Sequence, residues 1–137
     1  MTTTTMTWVI KPDHAQKCAA SYMTEIARLY RLYARCEDSG HDAWAEDIYE
    51  RMQEMPLSIR VRVGWHAPGE KPADCEYEIL LCTGGPAVRI TGDLCSFGAP
   101  ETATLECQDW GTPWTRAREQ NELALLDFAR LFYFGDF

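Results

Sequence analysis

The sequence predicts an α+β domain: an N-terminal helical hairpin, a four-stranded antiparallel sheet, and a C-terminal helix packed on the sheet. Three observations carry that prediction. Two stretches before Pro56 repeat apolar residues at helical spacing, the middle of the chain alternates apolar with polar residues, and the C-terminal stretch returns to helical spacing. The strands follow one another across short links, which implies an antiparallel meander. At 137 residues, 46% of them apolar and five of them tryptophan, the chain reads as a single domain, 1–137, able to fill a core without staples.

Thr2 to Thr7 is a threonine-rich lead with little to pack, expected to be mobile. Trp8, Val9 and Ile10 form a short arm expected to dock on the body. Lys11-Pro12-Asp13 is a helix start signal, with Asp13 placed to accept from free backbone N–H groups. The first helix then runs to about Arg35. Cys18, Tyr22, Ile26, Leu29 and Tyr33 share its apolar arc, flanked by Met23 and Tyr30, while Lys17, Arg28, Arg31 and Arg35 share the opposite side. After the break at Glu37-Asp38-Ser39-Gly40, Ser39 to Met55 makes a second amphipathic helix. Trp44, Ile48, Met52 and Met55 form its apolar arc, and Asp42, Glu46, Asp47, Glu50 and Glu54 crowd the other side.

Pro56 ends that helix. Leu57, Ile59, Val61, Val63 and Trp65 then alternate with Ser58, Arg60, Arg62 and Gly64, which predicts a half-buried strand. His66 to Asp74 is a loop. Glu76 to Thr83 is the second strand, apolar toward its end and so interior. Gly84-Gly85-Pro86 makes a tight turn, Ala87 to Thr91 the third strand, Leu94 to Pro100 a loop, and Glu101 to Trp110 the fourth strand. Gly111 to Trp114 turns the chain. The last helix starts near Arg118, and Leu123 to Phe134 is apolar on most sides, so it is buried on two sides or meets another chain.

Charge narrows the function. The formal net charge is −8 with pI ≈ 4.8, which disfavours direct binding to nucleic acid or to an anionic membrane and suits a basic protein partner. Residues 1–36 hold five basic and two acidic side chains; residues 37–54 hold one basic and seven acidic, a net −6. Nothing in the N-terminal stretch resembles a signal peptide, and Asp127 and Arg130 interrupt the longest apolar stretch, so a cytoplasmic protein is expected. The six cysteines, at 18, 36, 75, 82, 95 and 107, form no C-x-x-C pair and are expected to be free thiols.

The chemical constellations are sparse, and no metal or cofactor is expected. His14 and Cys18 stand four apart, close enough to share a metal, but Cys18 lies on the apolar arc and no second ligand pair accompanies it. Cys82, His66 and Asp109 would form a nucleophile, base and orienting acid if the fold brought them together. Glu76/Glu78 and Glu46/Asp47 read as solvated carboxylates, and Thr83-Gly84-Gly85-Pro86 as a hairpin turn, since no Lys-Ser/Thr or helix follows it. Trp110 and Trp114 flank a Gly-Thr-Pro turn. They read either as core plugs under the last helix or as a rigid binding platform.

Two segments carry a resemblance: Glu78 to Ile90 (EILLCTGGPAVRI) and Leu105 to Trp114 (LECQDWGTPW). With Met55-Pro56-Leu57-Ser58 and Val63-Gly64-Trp65-His66, they make the chain, from about Asp47 onward, resemble a group of small uncharacterised proteins of bacterial plasmids, phages and integrated elements. That resemblance implies the context of an anti-CRISPR or anti-restriction inhibitor in the cytoplasm of a bacterial host. The function so implied is inhibition of a basic, nucleic-acid-handling defence protein. Its contact residues would be Glu37, Asp38, Asp42, Glu46, Asp47, Glu50 and Glu54, with Trp110 and Trp114. The alternatives are a small enzyme or ligand-binding module near His66, Cys82 and Asp109, and a regulatory subunit dimerising through the last helix. A rival account of the acidic helix is that Arg28, Arg31 and Arg35 neutralise it.

Overall fold

The computed structural model describes residues 14–135. The threonine-rich lead, the Trp8–Ile10 arm and the Asp13 cap lie outside them. The element order is α1 (His14–Asp38), α2 (Asp42–Glu54), β1 (Ser58–Val63), β2 (Cys75–Cys82), β3 (Ala87–Asp93), β4 (Thr104–Gln108), β5 (Thr115–Arg116) and α3 (Glu122–Ala129). The class is α+β, with a five-stranded antiparallel sheet in the order β1-β2-β3-β4-β5.

The two N-terminal helices form the expected hairpin. Gly40 takes φ 76°, a left-handed conformation that glycine adopts without strain. The Ser39 and His41 amides then close onto the carbonyls of Arg35 and Cys36. Tyr33 and Tyr49 meet across the pair at 5.9 Å. The packing face of α1 is rotated from the expected arc. On α1 the buried residues are Ala15, Ala19, Met23, Ile26 and Leu29, with Cys18, Tyr22, Tyr30 and Tyr33 at their margin. On α2 Ala45 and Met52 are buried, and Ile48 and Met55 pack partly buried against the core, so three of the four residues of the expected arc face inward. Trp44, placed by periodicity on the apolar arc, is 64% exposed and stacks instead on His41 at 5.0 Å. Ala45, the residue next to it, is buried in its place at 3% exposure.

α1 lies over β3 and β4, and α3 over β4. Beneath them the inward residues of the sheet, Tyr77, Ile79, Leu81, Val88, Ile90, Leu105 and Cys107, join Phe128, Phe132 and Phe134 in one hydrophobic cluster. The apolar excess of the C-terminal stretch is thus taken up largely by this chain's own core, with Leu123 and Tyr133 left outward. The last helix starts at Glu122 rather than near Arg118, because Ala117 to Asn121 is occupied otherwise. The Gln120 side chain accepts from the Leu105 amide at 3.1 Å and donates to the Leu105 carbonyl at 2.7 Å, mimicking a strand partner. Asn121 then caps α3 by accepting from Ala124 N–H.

A fifth strand stands where four were expected. β5 is two residues long, too short to show an alternation. β4 starts later than expected because Thr102 has other partners: its hydroxyl accepts from the Asp93 amide at 2.9 Å and its carbonyl from the Tyr77 hydroxyl at 2.6 Å. This crossing presses the backbone onto Gly92, where a Cβ would stand 2.0 Å from the Thr102 oxygen. β1 departs furthest from expectation. Its apolar side does face the helix side of the sheet, opposite Ile79, Tyr77 and Cys75, yet Leu57, Ile59, Val61, Val63 and Trp65 are all exposed. β1 is one of the two edge strands, and its apolar side chains are left exposed among the described residues.

Candidate functional site

The acidic helix keeps its charges outward. Asp42, Glu46, Asp47, Glu50 and Glu54 are exposed along α2, as are Glu37 and Asp38 at the end of α1. None of the seven forms an ion pair among the described residues. Glu37 instead lies near Tyr33 of its own helix, and its charge adds to burial in raising that phenol. No ion pair joins the two helices among the described residues: Arg28 pairs with Glu25 one turn away at 2.7 Å, and neither Arg31 nor Arg35 forms one with a carboxylate of α2.

The ion pairs lie instead on the outer face of the sheet, away from the helices. Arg60 binds Glu78 at 2.7 Å, and Arg62 pairs with Glu76. Arg89 donates through Nη1 to Glu78 at 2.9 Å and through Nε to Glu106 at 2.8 Å. Arg116 stands opposite Glu106 in register. Across β1 to β5 the row therefore reads Arg60, Glu78, Arg89, Glu106, Arg116. Sequence reasoning missed it, because successive members are 10 to 18 residues apart and only the strand register aligns them.

Trp114 belongs to this face, with its ring centroid 4.2 Å from the Arg89 guanidinium carbon. Trp110 is 85% exposed on the turn before it. Neither indole plugs the core under the last helix, as one of the two readings had it. The turn between them is held by Thr112, whose hydroxyl accepts from the Asp109 amide and donates to the Asp109 carbonyl, both at 3.0 Å.

The residues of the alternative site are kept apart. His66 follows the end of β1 that pairs with Cys75, whereas Cys82 is the opposite end of β2. Seven residues of strand separate those ends, roughly 23 Å. Asp109 accepts from the Ala15 amide at the start of α1, and so caps a helix rather than orienting a base. Cys82 rests against Cys18, sulfur to sulfur at 4.0 Å, and donates weakly to the Pro86 carbonyl. Burial, and then the neighbouring Cys82, push the Cys18 thiol up to about 11. Burial likewise raises Cys107 and Tyr22. A thiol so shifted is a poor nucleophile near neutral pH.

All six cysteines are free. Among the described residues no group of three or more His, Cys, Asp or Glu is arranged to hold a metal ion, and no helix is long and apolar enough to cross a membrane. Among the described residues the surface thus offers an acidic helix without ion pairs and an exposed apolar sheet edge. Comparison with known proteins gives no match, whether to a family model, to a curated protein or to a solved structure.

Proposed function

We propose that the chain is an acidic inhibitor from a mobile element that lays the carboxylate face of α2 into the basic groove of a nucleic-acid-handling bacterial defence protein. One observation carries this reading: the seven carboxylates from Glu37 to Glu54 are exposed and none is ion-paired among the described residues. The spacing also works against the helix itself. Asp42–Glu46, Glu46–Glu50 and Glu50–Glu54 are like-charge pairs four residues apart, each destabilising by roughly 0.2–0.5 kcal/mol. Folding alone gives no reason to keep such a row, whereas a basic groove would satisfy it and draw the two molecules together at long range.

The test is a pull-down from bacterial lysate with the full chain and with the D42K/E46K/E50K variant, read by quantitative mass spectrometry. The reading expects a basic, nucleic-acid-binding protein that is captured by the chain and lost with the variant, while circular dichroism stays native. It also expects an association rate that falls steeply with salt. Equal capture by the triple variant would sink it.

A further inference from the structure

Among the described residues β1 has one neighbour, β2, and no strand pairs with its other edge. Its register, prolonged by the Gly64 amide donating to the Asp74 carbonyl at 2.7 Å, turns the backbone groups of Arg60 and Arg62 toward β2. Successive residues of an antiparallel strand alternate in this respect. The N–H and C=O groups of Ile59, Val61 and Val63 therefore point out of the sheet. Their side chains are exposed on the helix-side face. Edges are ordinarily blunted by bulges, prolines or a covering element. Ser58 to Val63 contains no proline, its register is unbroken, and Ile59 to Val63 are exposed among the described residues.

The outer face says what would fit there. Charge alternates strand by strand from Arg116 to Arg60, and the row stops on a cation at β1. The side chains of Arg60 and Arg62 are 71% and 81% exposed despite their pairs with Glu78 and Glu76, so each has room for a second carboxylate. A further copy of β1 aligned about Val61 would set these arginines against themselves, and like charges directly opposite are destabilising.

We infer that β1 accepts, by strand addition, an extended segment of a partner protein in which apolar residues alternate with Asp or Glu. The backbone of the segment pairs with Ile59, Val61 and Val63, its apolar side chains cover theirs, and its carboxylates continue the charged row past Arg60 and Arg62. This site shares no residue with α2, so either proposal can fail without the other.

The probe is a synthetic peptide, TVEVEVT, compared with TVKVKVT on the full chain by amide hydrogen exchange and by titration of affinity. The proposal expects at least tenfold slower exchange at Ile59, Val61 and Val63, little change at Arg60 and Arg62, and at least tenfold tighter binding of the glutamate peptide. Val61→Pro removes an outward N–H that β2 does not use and should abolish binding. Should that variant fail to fold, Arg62→Glu serves instead and should shift the preference toward the lysine peptide. D42K/E46K/E50K should bind the glutamate peptide as the parent chain does. The proposal is overturned by unchanged exchange, by equal affinity for the two peptides, or by protection of the three amides in the free chain, which would mean that the edge is already covered.

Discussion

The guanidinium of Arg89 lies 4.2 Å from the ring centroid of Trp114 while it bridges Glu78 and Glu106 on the strands to either side. One side chain thus holds three strands and a turn. The indole shields the face of the ion where water would otherwise compete. That arrangement explains why a tryptophan after a Gly-Thr-Pro turn sits on the polar side of the sheet and not in the core.

Arg89→Met is expected to lower the unfolding free energy by ~1–2 kcal/mol, because it leaves two carboxylates facing each other. The figure is below that for a fully buried pair, since Arg89, Glu78 and Glu106 retain 23%, 12% and 24% of their exposure. Trp114→Ala should cost ~1 kcal/mol. Urea midpoints of the double variant should fall short of the sum, because the contribution of the ring depends on the cation beneath it.

Gly92→Ala is expected to destabilise by ~3 kcal/mol or to prevent folding, since its Cβ would overlap the Thr102 carbonyl. Tyr77→Phe, which only removes the donor to that carbonyl, should cost ~1 kcal/mol. Thermal unfolding of the two variants should rank them in that order.

Met52 is fully buried and Trp44 is not. Met52→Ala should therefore destabilise by ~2–4 kcal/mol, and Trp44→Ala by less than ~0.5 kcal/mol. Equal losses in chemical denaturation would restore the apolar arc read from periodicity.

Stability should fall on the alkaline side. Cys18 goes from an ordinary 9.0 to about 11, and burial also raises Cys107, Tyr22, Tyr30, Tyr33 and Tyr77. Each group loses its proton more readily in the unfolded chain, so the unfolded state binds fewer protons as pH rises through that window. The contribution is complete below pH ~9 and is lost toward pH 11 and beyond. Urea midpoints should be flat near neutrality and drop above pH ~9, and tyrosinate absorbance in the native chain should lag behind that of the denatured chain.

Much of the architecture was legible in the sequence. Helical spacing located α1 and α2, and alternation located β1 and the faces of β2 and β4, because each pattern is a direct projection of backbone geometry. What periodicity does not encode is whether anything lies over a face. Leu57 to Trp65 alternate as a covered strand would, yet their apolar side chains are exposed among the described residues. Ala45 counts little on a hydropathy wheel, yet it is buried where Trp44 is not. β5 is shorter than any period. The charged row was illegible for a different reason, because Arg60 and Arg116 become neighbours of one network only after four hairpins fix the register. The carboxylates of α2 were readable residue by residue, but their freedom from Arg31 and Arg35 was not.

The charged row has a consequence for the molecule as a whole. Arg60, Arg62 and Arg89 balance Glu76, Glu78 and Glu106 on the sheet face, whereas residues 37–54 carry −6 of the total −8. The densest run of unpaired negative charge is therefore on α2. A concentrated patch of this kind exerts a torque as well as an attraction near a cationic surface. On the proposed reading it would turn α2 to the front before any atom touches, and reversing three of those charges would remove that alignment.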